Sequence, residues 1–209
     1  MAISYPLSLP TSIGLASITL RAENTVAVSQ SPFTGDQQIL KYPKEMWTAS
    51  VTLPTIQKDL AEPWVSFLLS LRGSYGTFYL NDPLRTTPQG SARDTDTIAV
   101  ASNVSSGSSI SFDSDQNSAT DYLKAGDYIQ VTTGGTDVQL FKVLQDVDTD
   151  GTGAFTVDVW PNVRTSITTS STVNVESAKG VFRLSKNTQE WSIQVGNTYN
   201  ISFEAMEAI

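Results

Sequence analysis

All of the net charge of this 209-residue chain lies in its middle. Residues 1–85 contain six basic and six acidic residues, and residues 178–209 contain three of each. Residues 86–177 contain four basic and twelve acidic residues, and their net charge of −8 equals that of the whole chain. Eleven of the twelve acids are aspartates, which favour turns over regular elements. This division predicts an acidic domain, residues 86–177, inserted into a neutral scaffold domain formed by residues 1–85 and 178–209.

Composition favours a β-rich fold and removes the commonest catalytic groups. The chain is 39% hydrophobic but only 16% charged, which is typical of β proteins with many turns. It has no cysteine and no histidine, which excludes disulfides, thiolate chemistry and a Ser-His-Asp triad. The glycine-rich phosphate-binding patterns are also missing. We therefore expect no enzymatic activity, no cofactor and no metal.

Charge and hydropathy also limit the partners. A pI near 4.4 argues against specific nucleic-acid binding, which needs clustered basic residues. No apolar stretch approaches the roughly 18–20 residues of a membrane span, so no membrane partner is expected.

Two periodicities predict the elements of the scaffold. Apolar residues alternate with hydroxyl residues over 46–53, which predicts a strand that Pro54 ends. Apolar residues at helical spacing predict one helix over about residues 59–72, capped by Asp59, with Pro63 in its first turn. We interpret this helix as covering a sheet of its own domain; a partner-binding amphipathic helix is the alternative.

Turn signals divide the remaining scaffold into strands. Residues 15–20 and 25–28 are β-prone and are separated by a turn-like Glu23–Asn24. Gly196-Asn197 predicts a hairpin turn between two alternating segments at the C-terminal end. This hairpin has an apolar face that we expect to complete a sheet begun by residues 1–85.

The middle of the chain predicts a small β-barrel or sandwich. Short β-prone segments beginning near residue 128 recur to residue 160, with turns at Gly134-Gly135 and at 146–153. Residues 172–175 are expected to add a closing strand. The Ser-rich segment Ser102–Ser118 is expected to be a loosely packed excursion.

Three groups in this middle region are weak candidates for a site. Asp146, Asp148 and Asp150 precede Gly151 as in a Ca²⁺ loop, but Val157 occupies the place of the required bidentate Glu, which favours a solvated turn. Other candidates are an aromatic sugar-binding face and a carboxylate pair for catalysis. The aromatic residues, which we interpret as core, are Tyr122, Tyr128 and Trp160, and the carboxylates are Asp113 and Asp115.

Three stretches of the scaffold resemble tail proteins of long-tailed bacteriophages, especially the distal tail protein. They are YPKEMWTASVTLP (42–54), WVSFLLSLRGSYGTFYLNDP (64–83), and KGVFRL (179–184) together with the final hairpin. The resemblance implies an all-β fold with one helix, in which a split β-sandwich scaffold domain carries an inserted small β-barrel. For the inserted barrel, the resemblance concerns the domain architecture and no specific sequence stretch.

The resemblance also implies a role in assembly. Copies of the scaffold domain form a ring, commonly of six, that joins the tail tube to the tail tip. The expected partners are further copies of the chain, the tail tube protein and the tail-tip hub protein, and the barrel can hold fibres or receptor-binding proteins. DNA passes through the lumen without specific binding. The resemblance further implies that the protein is made in the host cytoplasm and resides in the virion, at the tail tip.

Three other functions stay open at this stage. A tail-tube or tail-terminator subunit also forms rings from β-sandwich domains. A carbohydrate-binding module would use exposed aromatic residues of the middle region. An enzyme would need paired carboxylates such as Asp113 and Asp115 held in a cleft.

Overall fold

The computed structural model describes residues 3–208. Within that range the fold is all-β with one helix, and a sheet is joined to a closed six-stranded barrel, which confirms the predicted fold class. In chain order the elements are β1 (Ser17–Gln30), β2 (Gln37–Thr52), β3 (Ile56–Gln57), α1 (Lys58–Ser70), β4 (Thr77–Leu80), β5 (Ile98–Val100), β6 (Gly107–Ser114), β7 (Tyr128–Thr133), β8 (Asp137–Val143), β9 (Ala154–Val163), β10 (Thr172–Asn174), β11 (Gly180–Leu184), β12 (Trp191–Gln194) and β13 (Thr198–Glu207).

The last strand, β13, organises the scaffold sheet, whose order is β1-β2-β13-β11-β4. The first half of β13 pairs with β12 and β3, and its second half pairs with β2 and β11. The C-terminal hairpin therefore completes a sheet begun by β1 and β2, as predicted. Its loop is longer than the predicted two residues, because Gln194 pairs with Thr198 and leaves three residues between them. Gly196 and Asn197 have φ angles of 102° and 60°, which suit their residue types.

Helix α1 covers one face of this sheet, as the apolar periodicity predicts. Trp64 packs with its ring centroid 6.4 Å from that of Phe203 on β13, and Phe67 lies 5.6 Å from Phe78 on β4. Trp64 and Phe78 are almost completely buried, and burying side chains of this size stabilises by about 1.5–3 kcal/mol each.

The start of α1 differs from the prediction. The helix begins at Lys58 after Gln57, which makes no side-chain capping bond, so Asp59 lies inside the first turn instead of capping it. Pro63 consequently lies beyond the first turn, and Leu60 is exposed instead of facing the core. The cause is tertiary, because β3 pairs with β13 and the Lys58 amide donates to the Asn197 carbonyl at 3.1 Å.

The barrel closes in the order β10-β5-β6-β9-β8-β7. The short β10 pairs with β5 on one side and β7 on the other, so the predicted closing strand is confirmed. Gly134 and Gly135 form the predicted turn between β7 and β8, with φ angles of 61° and 78°. Apolar side chains from alternate positions fill the interior.

Two predictions about loops were wrong. The Ser-rich segment Ser102–Ser118 contains β6, whose Ile110 and Phe112 are buried and pair with β9. Its serines alternate with inward apolar residues, so strand period outweighed the loop-like composition. The Glu23–Asn24 turn is also absent, because β1 runs straight through it and the irregularity lies in the partner strand, where residues 42–44 bulge opposite residue 25.

Candidate interaction surfaces and the interdomain contact

The aspartates of the Ca²⁺-like loop are used as hydrogen-bond acceptors for the backbone. Asp146 accepts from the Ala125 amide at 2.8 Å, and Asp148 accepts from the Asp121 amide at 2.6 Å. Asp150 accepts from the Thr152 hydroxyl and from two backbone amides, and these bonds hold the pKa of its carboxyl below the usual value. The three carboxylates thus bond to different segments, and no cluster of three potential metal ligands occurs within residues 3–208.

The other candidate side chains of the barrel are placed by packing or by turns. Asp113 and Asp115 are both exposed at the end of β6. Tyr122 is buried, and its hydroxyl bonds to the Ser114 hydroxyl at 2.8 Å and to Asp96 at 3.1 Å. Burial, together with the nearby Asp96 carboxylate, raises the pKa of Tyr122 to about 12. These positions provide neither a cleft around the carboxylates nor an exposed ring at Tyr122.

The remaining two candidate aromatics join the barrel to the scaffold. Trp160 on β9 packs edge-on against Trp47 on β2, with ring centroids 4.4 Å apart, and Tyr128 lies 6.2 Å from Trp47. The Trp47 indole donates to the Leu140 carbonyl at 3.1 Å, and the Trp160 indole donates to Asn24 at 2.8 Å. Trp47 therefore belongs to the scaffold core and to the interdomain contact at once.

A buried ion pair lies beside these aromatics. Glu207, at the end of β13, forms a bidentate pair with Arg164, which follows β9, and also accepts from the Trp47 amide at 3.0 Å. The side chains of Glu207 and Arg164 are only 2% and 13% exposed. Glu45 is equally buried and accepts from the Asn162 amide at 2.8 Å. Because both buried carboxylates have partners, the barrel is fixed to the helix-covered face of the sheet by satisfied polar groups as well as by apolar packing.

The opposite face of the sheet is polar. Side chains of β1, β2 and β13 alternate so that hydroxyl and charged residues lie on this face: Thr19, Arg21, Glu23, Thr48, Ser50, Ser202 and Glu204. Glu204 pairs with Lys186 at 2.9 Å, and this contact lowers the pKa of Glu204 and raises that of Lys186. The charges on this face therefore roughly balance.

Strands β1 and β2 continue beyond the sheet as a two-stranded arm, defined here as residues 25–44. Past the Asn24–Glu45 pair, the two strands pair with each other out to Gln30–Gln37. At about 3.3 Å per residue, this paired segment projects by roughly 20 Å. Every residue of the arm except Ser31 is exposed.

The arm is unusually apolar for an exposed hairpin. Val28 and Ile39 face each other across the strands and are 59% and 65% exposed, and Phe33 at the tip is 95% exposed. Val26, Leu40 and Tyr42 add further exposed apolar surface. A lone two-stranded hairpin is marginally stable in water, and an apolar patch of several hundred Å² marks an interaction surface. The arm is therefore the strongest candidate interaction surface of the described chain.

The sequence contains a signal for the arm that the pattern analysis missed. Ser31-Pro32-Phe33-Thr34-Gly35-Asp36 is a loop flanked by β-prone residues on both sides, which is the pattern of a hairpin. The interdomain ion pair has a weaker signal: Glu207 continues the inward-facing series Tyr199, Ile201, Phe203 and Ala205, and an acid at such a position needs a buried partner. Its partner Arg164 is 43 residues away and has no distinguishing local pattern.

Comparison with known proteins does not assign the chain to a family. No family model matches the chain, and no curated protein matches it significantly. Among the described residues, α1 is too short to span a membrane and no helix meets the requirements of a membrane span.

Proposed function

We propose that this chain is a structural protein of a long-tailed bacteriophage, of the distal tail kind. In this role its scaffold domain forms a ring, with six copies as the expected number, that joins the tail tube to the tail tip. The inserted barrel faces outward, where fibres or receptor-binding proteins attach. The protein acts by assembly and carries out no reaction.

The observation that carries this proposal is the arm. A domain that buries Trp47, Trp64 and Phe78 efficiently still leaves Val28, Phe33 and Ile39 in solvent. Such surface costs solubility unless another molecule covers it, so the arm favours an obligate contact over an independent monomeric domain. The resemblance of residues 42–54 and 64–83 to tail proteins supplies the kind of assembly.

The two faces of the sheet support the proposed orientation. The barrel packs on the same face as α1, through Trp47, whereas the opposite face carries balanced charges and hydroxyl groups. A ring that places this polar face toward the lumen would present no cluster of basic residues that could bind the phosphates of DNA. It would also keep six barrels of −8 each, about −48 in all, away from the channel, where their mutual repulsion would be greatest.

Mass and shape in solution test the proposal. Light scattering after size-exclusion chromatography, over a concentration series, is expected to show an oligomer that dissociates on dilution. Negative-stain images are expected to show rings with a central channel. Long tubes would instead indicate a tail-tube subunit, and a strict monomer at every concentration would contradict a self-assembling ring. A glycan array tests the carbohydrate-binding alternative, for which binding at the barrel would be required.

A further inference from the structure

The two edges of the scaffold sheet differ in whether they are covered. At the β4 edge, the Leu7 amide donates to the Thr77 carbonyl at 2.8 Å, and the Tyr79 amide donates to the Leu7 carbonyl at 2.9 Å. At the opposite edge, β1 is the outermost strand and pairs only with β2. Because an edge strand presents unpaired backbone groups, the β1 edge is a template for pairing with another chain.

The backbone groups on the outer side of β1 belong to its even-numbered residues. At the hairpin end, the Ser31 amide donates to the Asp36 carbonyl at 2.9 Å, in register with the Gln30–Gln37 pair. Residues alternate in bonding direction along a strand, so the odd-numbered residues of β1 bond to β2 and the even-numbered ones, from Ile18 to Gln30, point away from it. In the described part of the chain, no backbone hydrogen bond reaches these outward groups.

Strand β1 lacks the features that usually protect an exposed edge. It contains neither proline nor lysine. The bulge opposite residue 25 lies in β2, so the β1 backbone continues without interruption from Ser17 to Gln30. All of its residues except Ile18 and Leu20 are exposed. The outer edge of β1 is therefore open over its whole length.

The charges in the middle of β1 are self-complementary. Arg21 and Glu23 flank Ala22 and lie on the polar face of the sheet. Among residues 3–208 neither takes part in an ion pair, and Glu23 accepts a hydrogen bond from the exposed Thr48 hydroxyl at 3.1 Å. Lys44 shares this part of the polar face and also forms no ion pair there. Arg21 and Glu23 are therefore available for charges on another strand.

We propose that β1 pairs antiparallel with β1 of a second copy, with Ala22 of one copy opposite Ala22 of the other. In this register the outward, even-numbered residues of both strands form the hydrogen-bonded pairs, with about ten bonds over residues 18–26. Each Arg21 lies opposite a Glu23 in a non-hydrogen-bonded pair, where facing side chains are closest. The two symmetry-related charge pairs stabilise the contact.

Charge selects this register over its neighbours. Centring the pair on residue 21 or on residue 23 would place two arginines or two glutamates opposite each other, and like charges directly opposite are destabilising. Centring it on Ala22 also places Thr19 opposite Thr25, a pair that can exchange hydrogen bonds. The strand thus contains the complement of its own sequence, which favours a second copy over an unrelated peptide as the occupant.

The contact is isologous, because both molecules use the same strand, and it closes a dimer. It goes beyond the ring proposed above, which requires a head-to-tail contact at another surface of the scaffold. Edge pairing joins mainly backbone groups and few apolar side chains, so the dimer is expected to be weak and to dissociate on dilution.

A single cysteine at the symmetry axis tests the register in the full-length chain, which has no cysteine of its own. In Ala22→Cys the two facing Cα atoms would be about 5.5 Å apart, within the range of roughly 4.4–6.8 Å that a disulfide requires. In the control Thr19→Cys, also exposed on β1, they would be about 20 Å apart. After mild oxidation we expect at least about tenfold more disulfide dimer with Ala22→Cys. Equal yields, or no dimer from Ala22→Cys, would overturn the contact.

Charge reversal tests the pairing without a crosslink. In sedimentation velocity at low salt, Arg21→Glu and Glu23→Arg are each expected to weaken dimerisation by about tenfold, because each creates two like-charge pairs. The double variant restores opposite charges across the axis and should dimerise about as tightly as the original chain. Lys58→Glu is the control, since it changes the net charge as Arg21→Glu does but lies at the exposed start of α1. Far-UV circular dichroism spectra check that the variants are folded, and failure of the double variant to recover would overturn the register.

Light scattering of the unmodified chain separates this contact from the ring. A larger oligomer without the Ala22 crosslink would overturn the edge contact and leave the ring proposal standing. A specific crosslink in a species that never exceeds a dimer would support the edge contact and contradict the ring. A strict monomer at every concentration would overturn both.

Discussion

The buried ion pair between the domains gives the sharpest prediction about stability. In Glu207→Gln the side-chain shape is retained, and the new amide oxygen can still accept from the Trp47 amide. Arg164, only 13% exposed, loses its ionic partner and keeps a positive charge in a largely buried site. Breaking a buried pair in this way costs about 3–5 kcal/mol, mostly because the remaining charge is uncompensated.

Urea unfolding measures this loss directly. With an m-value of about 2–3 kcal/mol/M, a loss of this size lowers the midpoint by roughly 1–2 M. The midpoint temperature of thermal unfolding should fall by about 6–20 °C for a chain of this length. Tryptophan fluorescence is the appropriate signal, because Trp47 and Trp160 pack against each other at the interdomain contact. Glu204→Gln is the matched control on the same strand, since its pair with Lys186 is exposed, and we expect no measurable shift.

A double variant decides whether the loss comes from the unpaired charge. Arg164→Met with Glu207→Gln removes both charges and keeps the volume nearly constant, so it is expected to be more stable than Glu207→Gln alone by about 2 kcal/mol. If the double variant instead shows the sum of the two single losses, the side chains act independently and the reasoning fails. A Glu207→Gln variant as stable as the original chain would refute it equally.

Three further predictions concern the barrel. The free energy of unfolding should fall by about 2–3 kcal/mol between pH 10 and 12, because the pKa of tyrosine is near 10 in the unfolded chain and that of Tyr122 is about 12 in the native one. In Tyr122→Phe, urea unfolding at several pH values should show a fall that is smaller by that amount. An identical pH profile for the two proteins would contradict the prediction. Gly153→Ala should cost roughly 2–5 kcal/mol, since φ is 85° and a Cβ would lie 2.0 Å from the Ser114 carbonyl oxygen, whereas Gly151→Ala in the same turn should be nearly neutral. Adding Ca²⁺ to a chelated sample should leave the melting temperature unchanged, because the loop aspartates accept backbone hydrogen bonds, and a clear rise would show that they bind the ion.

Local patterns predicted the elements whose partners are close in sequence. The Gly134-Gly135 turn and the C-terminal hairpin were identified because turn residues and alternating apolar residues occur together there. In the segment around β6, the serine content predicts a loop, whereas the alternation of Ile110 and Phe112 with serine fits the strand that forms. Where composition and period disagreed, the period gave the correct structure, since the inward side chains determine the pairing of the strand.

Long-range contacts account for what the sequence could not show. The helix start at Lys58 depends on pairing between β3 and β13, which are more than a hundred residues apart. The Arg164–Glu207 pair depends on how the barrel packs on the sheet; Glu207 continues the inward-facing series of β13, but Arg164 has no local signature of burial. The arm is intermediate, because the Ser31–Asp36 loop carries a local turn signal, while the pairing of its two long strands is not evident from their sequence.

The barrel–sheet contact and the arm differ in whether their polar and apolar groups find partners within the chain. At the barrel contact, Glu45 and Glu207 are buried and every oxygen of their carboxylates has a donor, so the barrel and the sheet form one satisfied unit. At the arm, hydrogen bonds within the Ser31–Asp36 loop form the turn, and yet Phe33 contacts solvent. An exposed ring gains nothing for the monomer, because ordering the loop has a cost in entropy and the apolar surface remains hydrated. The two features together favour a barrel that is fixed before assembly and an arm that another molecule covers afterwards.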